Sequence, residues 1–194
     1  VQRLPVLLAL ACVCALMLLP MGTALVAAQN FPEYQGFVND YAGLLSPAVK
    51  AKLEAQLTQL EKDTTAEVAV ITIKSLEGDS IEDYASRLFE KWGIGKKGVD
   101  NGVLFLVALD DHMMRIEVGY GLEGELTDAQ SKLIIENTIL PFFKKGDYDS
   151  GVLAGTVQVL EALGGKPSNV DSIAQPQPDQ QQGGHGGIPI FLIV

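Results

Sequence analysis

The residues best suited to chemistry in this chain are oxygen donors. Asp100, Asn101, Glu117, Glu123 and Asp128 lie in one stretch, VDNGVLFLVALDDHMMRIEVGYGLEGELTD (Val99–Asp128), and Asp40 comes from an earlier segment. Carboxylates together with amide and backbone oxygens are what a hard divalent cation requires. Asp100 and Asn101 open an apolar run, and Glu123 follows the next run. If the two runs pair antiparallel, the start of one lies beside the end of the other, so loops 99–101 and 119–128 share one sheet edge. We therefore expect a Ca2+ or other divalent-cation site built from Asp40, Asp100, Asn101 and Asp128, with Glu123 as a further candidate. The plainer alternative stays open: Asp100-Asn101-Gly102 is a turn, and Asp128 complements a helix dipole.

Other chemistries find less support. Gly119, Gly121 and Gly124 spell G-x-G-x-x-G between a strand and a helix. Yet Glu123, Glu125 and Asp128 crowd the place a pyrophosphate would occupy, and no parallel strand follows to complete a dinucleotide unit, so no nucleotide is expected. GDYDSG (Gly146–Gly151) has an Asp-x-Asp pattern but lies between two helices, where Asp149 reads as a helix cap. His112 and His185 have no partner at metal-ligand spacing, and both cysteines, Cys12 and Cys14, sit in the first apolar segment. A zinc site, a disulfide framework and a cysteine nucleophile are not expected in the mature domain. No serine-hydrolase, zinc-protease or P-loop motif occurs.

The elements that must position the oxygen donors read as follows. Ser46 and Pro47 start a helix whose Val49, Leu53, Leu57 and Leu60 form one stripe. EVAVITI (Glu67–Ile73) has strand length and β-branched content. Asp79 or Ser80 caps a second helix, with Ile81, Tyr84, Ala85, Leu88, Phe89 and Trp92 at helical spacing. Val103–Leu109 is apolar throughout, as a strand covered on both faces should be, and strand–helix–strand predicts a parallel pair. The turn at Asp110–His112 is too short for a crossover, so Met113–Gly119 returns antiparallel, with Met114, Ile116 and Val118 inward and Arg115 and Glu117 on the other face. Thr127 and Gln130 form a capping box for a third helix, which Pro141 bends or ends. YDSGVLAGTVQVLEAL makes a fourth, stopped at Gly164-Gly165. The sum is a single-domain α/β fold, a three-layer α/β/α sandwich with a small mixed sheet, Rossmann-like in its layering.

Both ends of the chain differ from this core. Arg3 followed by the apolar stretch Leu4–Leu19 and the small residues Val26-Ala27-Ala28 reads as a secretory signal over 1–28, with an uncleaved anchor as the alternative. The domain then covers 29–165. Residues 166–187 are rich in Pro, Gln and Gly, as in a disordered linker. IPIFLIV (Ile188–Val194) reads as the beginning of a transmembrane helix cut short, with a hydrophobic C-terminal strand as the rival reading. These features predict an exported, extracytoplasmic domain anchored to the cell membrane. The net charge of −10 repels phosphate backbones at long range, so nucleic acid is not an expected partner.

Four blocks in order, VNDYAGLLS (Val38–Ser46), DNGVLFLVA (Asp100–Ala108), MRIEVGYGLEGELTD (Met114–Asp128) and KKGDYDSGVLAG (Lys144–Gly155), resemble the signature blocks of the TPM domain family over about residues 33–165. The bacterial branch of that family carries a signal peptide, the domain and one transmembrane helix. The resemblance implies an acidic cleft at Asp40, Asp100, Asn101 and Asp128, with Arg115 as basic neighbour. His112 departs from the basic residue common in that hairpin. Members are described as photosystem-repair proteins, acid phosphatases, calcium-binding modules and receptor accessory subunits. Three functions follow. The first is a membrane-tethered module that binds a cation and assists membrane-protein assembly or maintenance through an unidentified membrane-protein partner. The second is a metal-dependent acid phosphatase using Arg115 and Asp100. The third is a docking domain without metal.

Overall fold

The computed structural model describes residues 30–166 and 192–193. The chain divides into two units, Val1–Phe31 and Pro32–Val194, and all that follows concerns the second. The expected signal segment 1–28 lies outside the described residues, as does the linker beyond Lys166.

The sheet has the order β1-β2-β3-β4-β5. Strands β1 (Val38–Asp40), β2 (Glu67–Ile73) and β3 (Gly102–Ala108) are parallel, and β4 (Met113–Val118) returns antiparallel beside β3. Sheet and helices form the expected α/β fold. Of the terminal apolar segment only β5 (Leu192–Ile193) is described; it runs parallel to β4, with Leu192 opposite Met113 and Ile193 opposite Met114. No helix among the described residues is long and apolar enough to cross a membrane.

Each helix begins where the local chemistry satisfies its first amides. In α1 (Pro47–Thr64) Ser46 accepts from the Val49 amide, and Pro47 occupies a first-turn position that needs no donor. In α2 (Ile81–Trp92) the cap is Ser80, which accepts from Asp83. In α3 (Asp128–Ile134) the capping box of Thr127 and Gln130 is complete. This helix does not stop before Pro141. It passes through a π-helical turn (Ile135–Ile139) into α4 (Leu140–Phe143). Proline has no N–H, and its ring would crowd the carbonyl four residues back, so a widened turn just ahead of Pro141 keeps the helix going. In α5 (Tyr148–Ala162) the cap is Asp147, which accepts from Ser150. Asp149, expected as that cap, instead accepts from the Ser46 amide at 2.8 Å and ties the start of α5 to the start of α1.

The two faces of the sheet bury different helices. Val68, Val70, Val103, Phe105, Val107, Met114 and Ile116 form one core with Leu53, Leu57 and Leu60 of α1 and with Ile135, Ile139, Phe143, Val152 and Leu160. Ile71, Ile73, Leu104 and Leu106 alternate with those residues onto the opposite face. There α2 lies along β3 and β4 and buries Ile81, Tyr84, Ala85 and Leu88. Every residue of β3 is buried, which is why its sequence shows no polar–apolar alternation. Strand β1 was not anticipated: it is three residues long, and only Asn39 in it is buried. Too few apolar positions exist there to make a period.

Candidate functional site

The hairpin does bring the two expected loops together. The Gly119 amide donates to the Gly102 carbonyl (2.8 Å), and the Gly121 amide donates to the Asp100 carbonyl (3.1 Å). A Cβ at Gly119 would stand 2.3 Å from the Asp100 carbonyl oxygen, and one at Gly121 would stand 2.0 Å from that of Val99. The first two glycines of the G-x-G-x-x-G pattern thus serve close backbone approach between loops. Gly124, the third, has nothing within 4 Å of such an atom. Asp100 adopts a left-handed φ of 53°, and the side chains of Asp100 and Glu123 are both exposed on this loop pair.

Asn101 lies in the same place but faces inward. It is 4% exposed, its Oδ1 accepts from the Lys96 amide (2.8 Å), and its Nδ2 donates to the Thr65 carbonyl (2.5 Å). It splices the loop before β3 to the end of α1. Its Nδ2 donor cannot serve as a ligand, and its oxygen already has an N–H partner.

Asp40 stands elsewhere. It pairs in register with Thr72, whereas Gly102 pairs with Glu67. These levels are five residues apart on β2, or about 16 Å at strand rise, so Asp40 and Asp100 occupy opposite ends of the sheet. A parallel strand places its C-terminal end at the far end of a neighbour's start, which the hairpin argument did not cover. The Asp40 side chain is 2% exposed. Its Oδ1 accepts from the Leu44 amide (2.9 Å) and the Thr72 hydroxyl (2.5 Å), and its Oδ2 accepts from the Leu45 amide (3.1 Å). Lys50 Nζ stands 3.6 Å from Oδ2. Burial alone would raise the Asp40 pKa, but the Thr72 hydroxyl, the two amides and the Lys50 charge together hold it below the ordinary carboxylate value. The carboxylate closes the loop from β1 into α1.

Asp128 and Arg115 meet at a third location. With Ile116, Ser131, Lys132 and Ile135 they line a cavity of about 220 Å3 between β4 and α3. Arg115 donates through Nε to Glu117 Oε2 at 2.6 Å. The two side chains sit two residues apart on one face of β4, as alternation predicted. The sequence reading passed over Ser131 and Lys132. The available signal was Ser131 itself, a polar residue four positions before Ile135 and so on the buried face of the helix.

Among the described residues no three His, Cys, Asp or Glu side chains are grouped to hold a metal ion. The oxygen donors are instead divided into a buried loop clasp at Asp40, a buried splice at Asn101, an exposed pair at Asp100 and Glu123, and a cavity rim at Asp128.

Comparison with known proteins identifies the lineage. The family model described as TPM domain matches residues 38–162. The chain belongs to the TPM domain family. The TPM match covers every element from β1 to the end of α5. The UPF0603 protein At1g54780, chloroplastic, of Arabidopsis thaliana is 28% identical over 165 residues, 76% of this chain and 54% of that protein. The UPF0603 protein YdjH of Bacillus subtilis is 32% identical over 74 residues, 38% of this chain and 29% of that protein. The chain thus spans about half the length of the plant relative and under a third of the bacterial one. The solution structure of the N-terminal domain of a protein from P. gingivalis is 32% identical with a TM-score of 0.63, covering 74% of this chain and 88% of that one.

Proposed function

We propose that this TPM domain is an extracytoplasmic module tethered to a membrane. It takes a divalent cation, Ca2+ in the first instance, at the loop pair 99–101 and 119–123, and assists the assembly or maintenance of membrane proteins. The observation that carries the cation reading is the docking of the two loops through Gly119 and Gly121, which leaves the exposed carboxylates of Asp100 and Glu123 on one loop pair. A hard cation accepts two carboxylates with carbonyl and water oxygens, and an open site of that kind binds at about 0.1–1 mM, the range of extracellular modules. Asn101 supports the reading indirectly, since it holds the loop before β3 in place and need not touch the ion; Asp40, at the other end of the sheet, takes no part in this site. Export rests on the signal-like segment 1–28, and the tether on the apolar segment Ile188–Val194.

Calorimetric titration of the purified protein with CaCl2 tests the cation. We expect millimolar-range heat that is lost in D100A/E123A and retained in E125A. No heat, and no rise in melting temperature at several millimolar metal, would remove the cation from the proposal. Protease added outside intact cells, followed by fractionation, tests the tether: the domain should be cleaved from outside and otherwise sediment with membranes.

A further inference from the structure

The chain enters and leaves this domain at one end of the sheet, the end that carries the loop pair. The Pro32 carbonyl accepts from Trp92 Nε1 (3.0 Å) at the close of α2. The Tyr34 hydroxyl donates to Glu67 Oε1 (3.3 Å) at the start of β2. Past α5 the Gly165 amide donates to the Leu160 carbonyl (2.8 Å), and a Cβ on Gly165 would stand 2.7 Å from Leu60 Cδ1, near the end of α1. Just beyond α1 lies the Thr65 carbonyl that receives Asn101. An anchor on either side of the domain therefore turns this end toward the bilayer. The linker read over 166–187 has a root-mean-square span of about 25 Å, which keeps that end close to the surface.

The same end carries apolar side chains that the fold does not bury. Among the described residues five large hydrophobic side chains are exposed, and three of them are here: Tyr34 at 39%, Val99 at 54% and Tyr120 at 81%. The other two are Tyr41, after β1 at the opposite end, and Leu133 on α3. The close approach of Gly121 to the Val99 carbonyl joins Val99 and Tyr120 into one knuckle. The Val99 and Asp100 amides both donate to the Lys96 carbonyl (2.9 Å each), which folds the exposed Lys96 and Lys97 beside it. Tyrosine suits a boundary between hydrocarbon and water, and lysines next to it attract anionic headgroups. We propose that this end of the domain docks on a membrane surface containing anionic phospholipid. Tyr120 and Val99 enter the headgroup layer, and Lys96 and Lys97 meet the phosphates. The docking rests on the tether proposed above and not on the cation. Asp100, Glu123 and Glu125 are exposed on the same loops and oppose an anionic surface. Ca2+ held by Asp100 and Glu123 offsets two of these charges, so the cation strengthens the docking.

Backbone-amide NMR of the full 15N-labelled chain in nanodiscs tests this, with a nitroxide on a fraction of the lipid headgroups. In phosphatidylcholine–phosphatidylglycerol discs the amides of Val99 and Gly121 should lose several-fold more intensity than those of Leu44 and Leu76, at the other end of the sheet. That gradient should shrink in phosphatidylcholine alone, and an undiminished one would strike out the lysine contacts. It should vanish in V99D/Y120D, whose spectrum away from the knuckle overlays the parent, and persist in Y120W. A chain that joins the discs yet loses intensity equally at both ends swings freely on its tether, which overturns the docking alone. A chain that stays out of the discs overturns tether and docking together. CaCl2 should steepen the gradient in the parent but not in D100A/E123A. A gradient that ignores CaCl2 removes the cation from the loop pair and leaves the docking to Tyr120, Val99 and the lysines.

Discussion

Replacing Asp40 separates a structural acid from a metal ligand, because the two roles predict different losses. Its carboxylate accepts three hydrogen bonds, at 2.9, 3.1 and 2.5 Å, and its side chain is 2% exposed. In D40A the amides of Leu44 and Leu45 and the Thr72 hydroxyl all lose their acceptor. Each buried donor left unmet costs about 1–3 kcal/mol. The loop can relax and admit water, so the expected total is about 3–5 kcal/mol rather than the full sum. Lys50, itself 41% exposed, adds at most ~1 kcal/mol. A loss of this size is a large share of a domain's 5–15 kcal/mol. D40N keeps one oxygen but turns an N–H toward the Leu45 amide, and should cost about 2–4 kcal/mol. Urea unfolding followed by circular dichroism measures both. The same carboxylate sets a pH dependence. Its folded pKa is lowered from 3.8, so the stability it contributes is fully present above pH 3.8 and is lost as pH falls through the folded value. The parent should therefore lose stability in acid more steeply than D40N. A D40A protein within 1 kcal/mol of the parent that has lost its Ca2+ response would refute the reasoning and return Asp40 to the metal.

Asn101 offers a sharper contrast. Adding a carboxylate at a cation site should strengthen metal binding, but here N101D would set an acceptor against the Thr65 carbonyl in a buried position. We expect a loss of about 2–4 kcal/mol in chemical unfolding, and equal stability would contradict the splice. At the loop contact, G121A forces a Cβ to 2.0 Å from the Val99 carbonyl and should cost about 1–3 kcal/mol as overpacking does. G124A, with open space, should stay within ~0.5 kcal/mol; similar melting temperatures for the two would sink the close-approach account. Tyr84, whose phenol burial and then the charges of Glu77 and Asp79 push up to about 12, should show no phenolate absorbance at pH 10.5 while the protein stays folded, and a titration near 10 would contradict its burial.

Much of the framework was legible in the sequence because it depends on local rules. Ser46-Pro47 and Thr127–Gln130 mark helix starts whatever the surroundings, since orphan amides must be satisfied within a few residues. The length of a connection decides between crossover and hairpin, so the parallel β2–β3 pair and the antiparallel β3–β4 pair followed from spacing, as did the meeting of loops 99–101 and 119–128. What tertiary structure alone decided was the fate of individual polar side chains. Asp40 had the composition of a ligand, but only the pairing of a short edge strand with β2 put Thr72 within its reach and sent it to the far end of the sheet from Asp100. Asp149 was read as capping its own helix; its true partner is the Ser46 amide, 103 residues away. The cavity between β4 and α3 also depends on packing across elements, and its clue was one serine on a buried helical face. Periodicity records which face of an element is covered, because burial repeats with the backbone. It holds no record of which donor a given carboxylate will meet, since that is set by contacts between segments far apart in the chain.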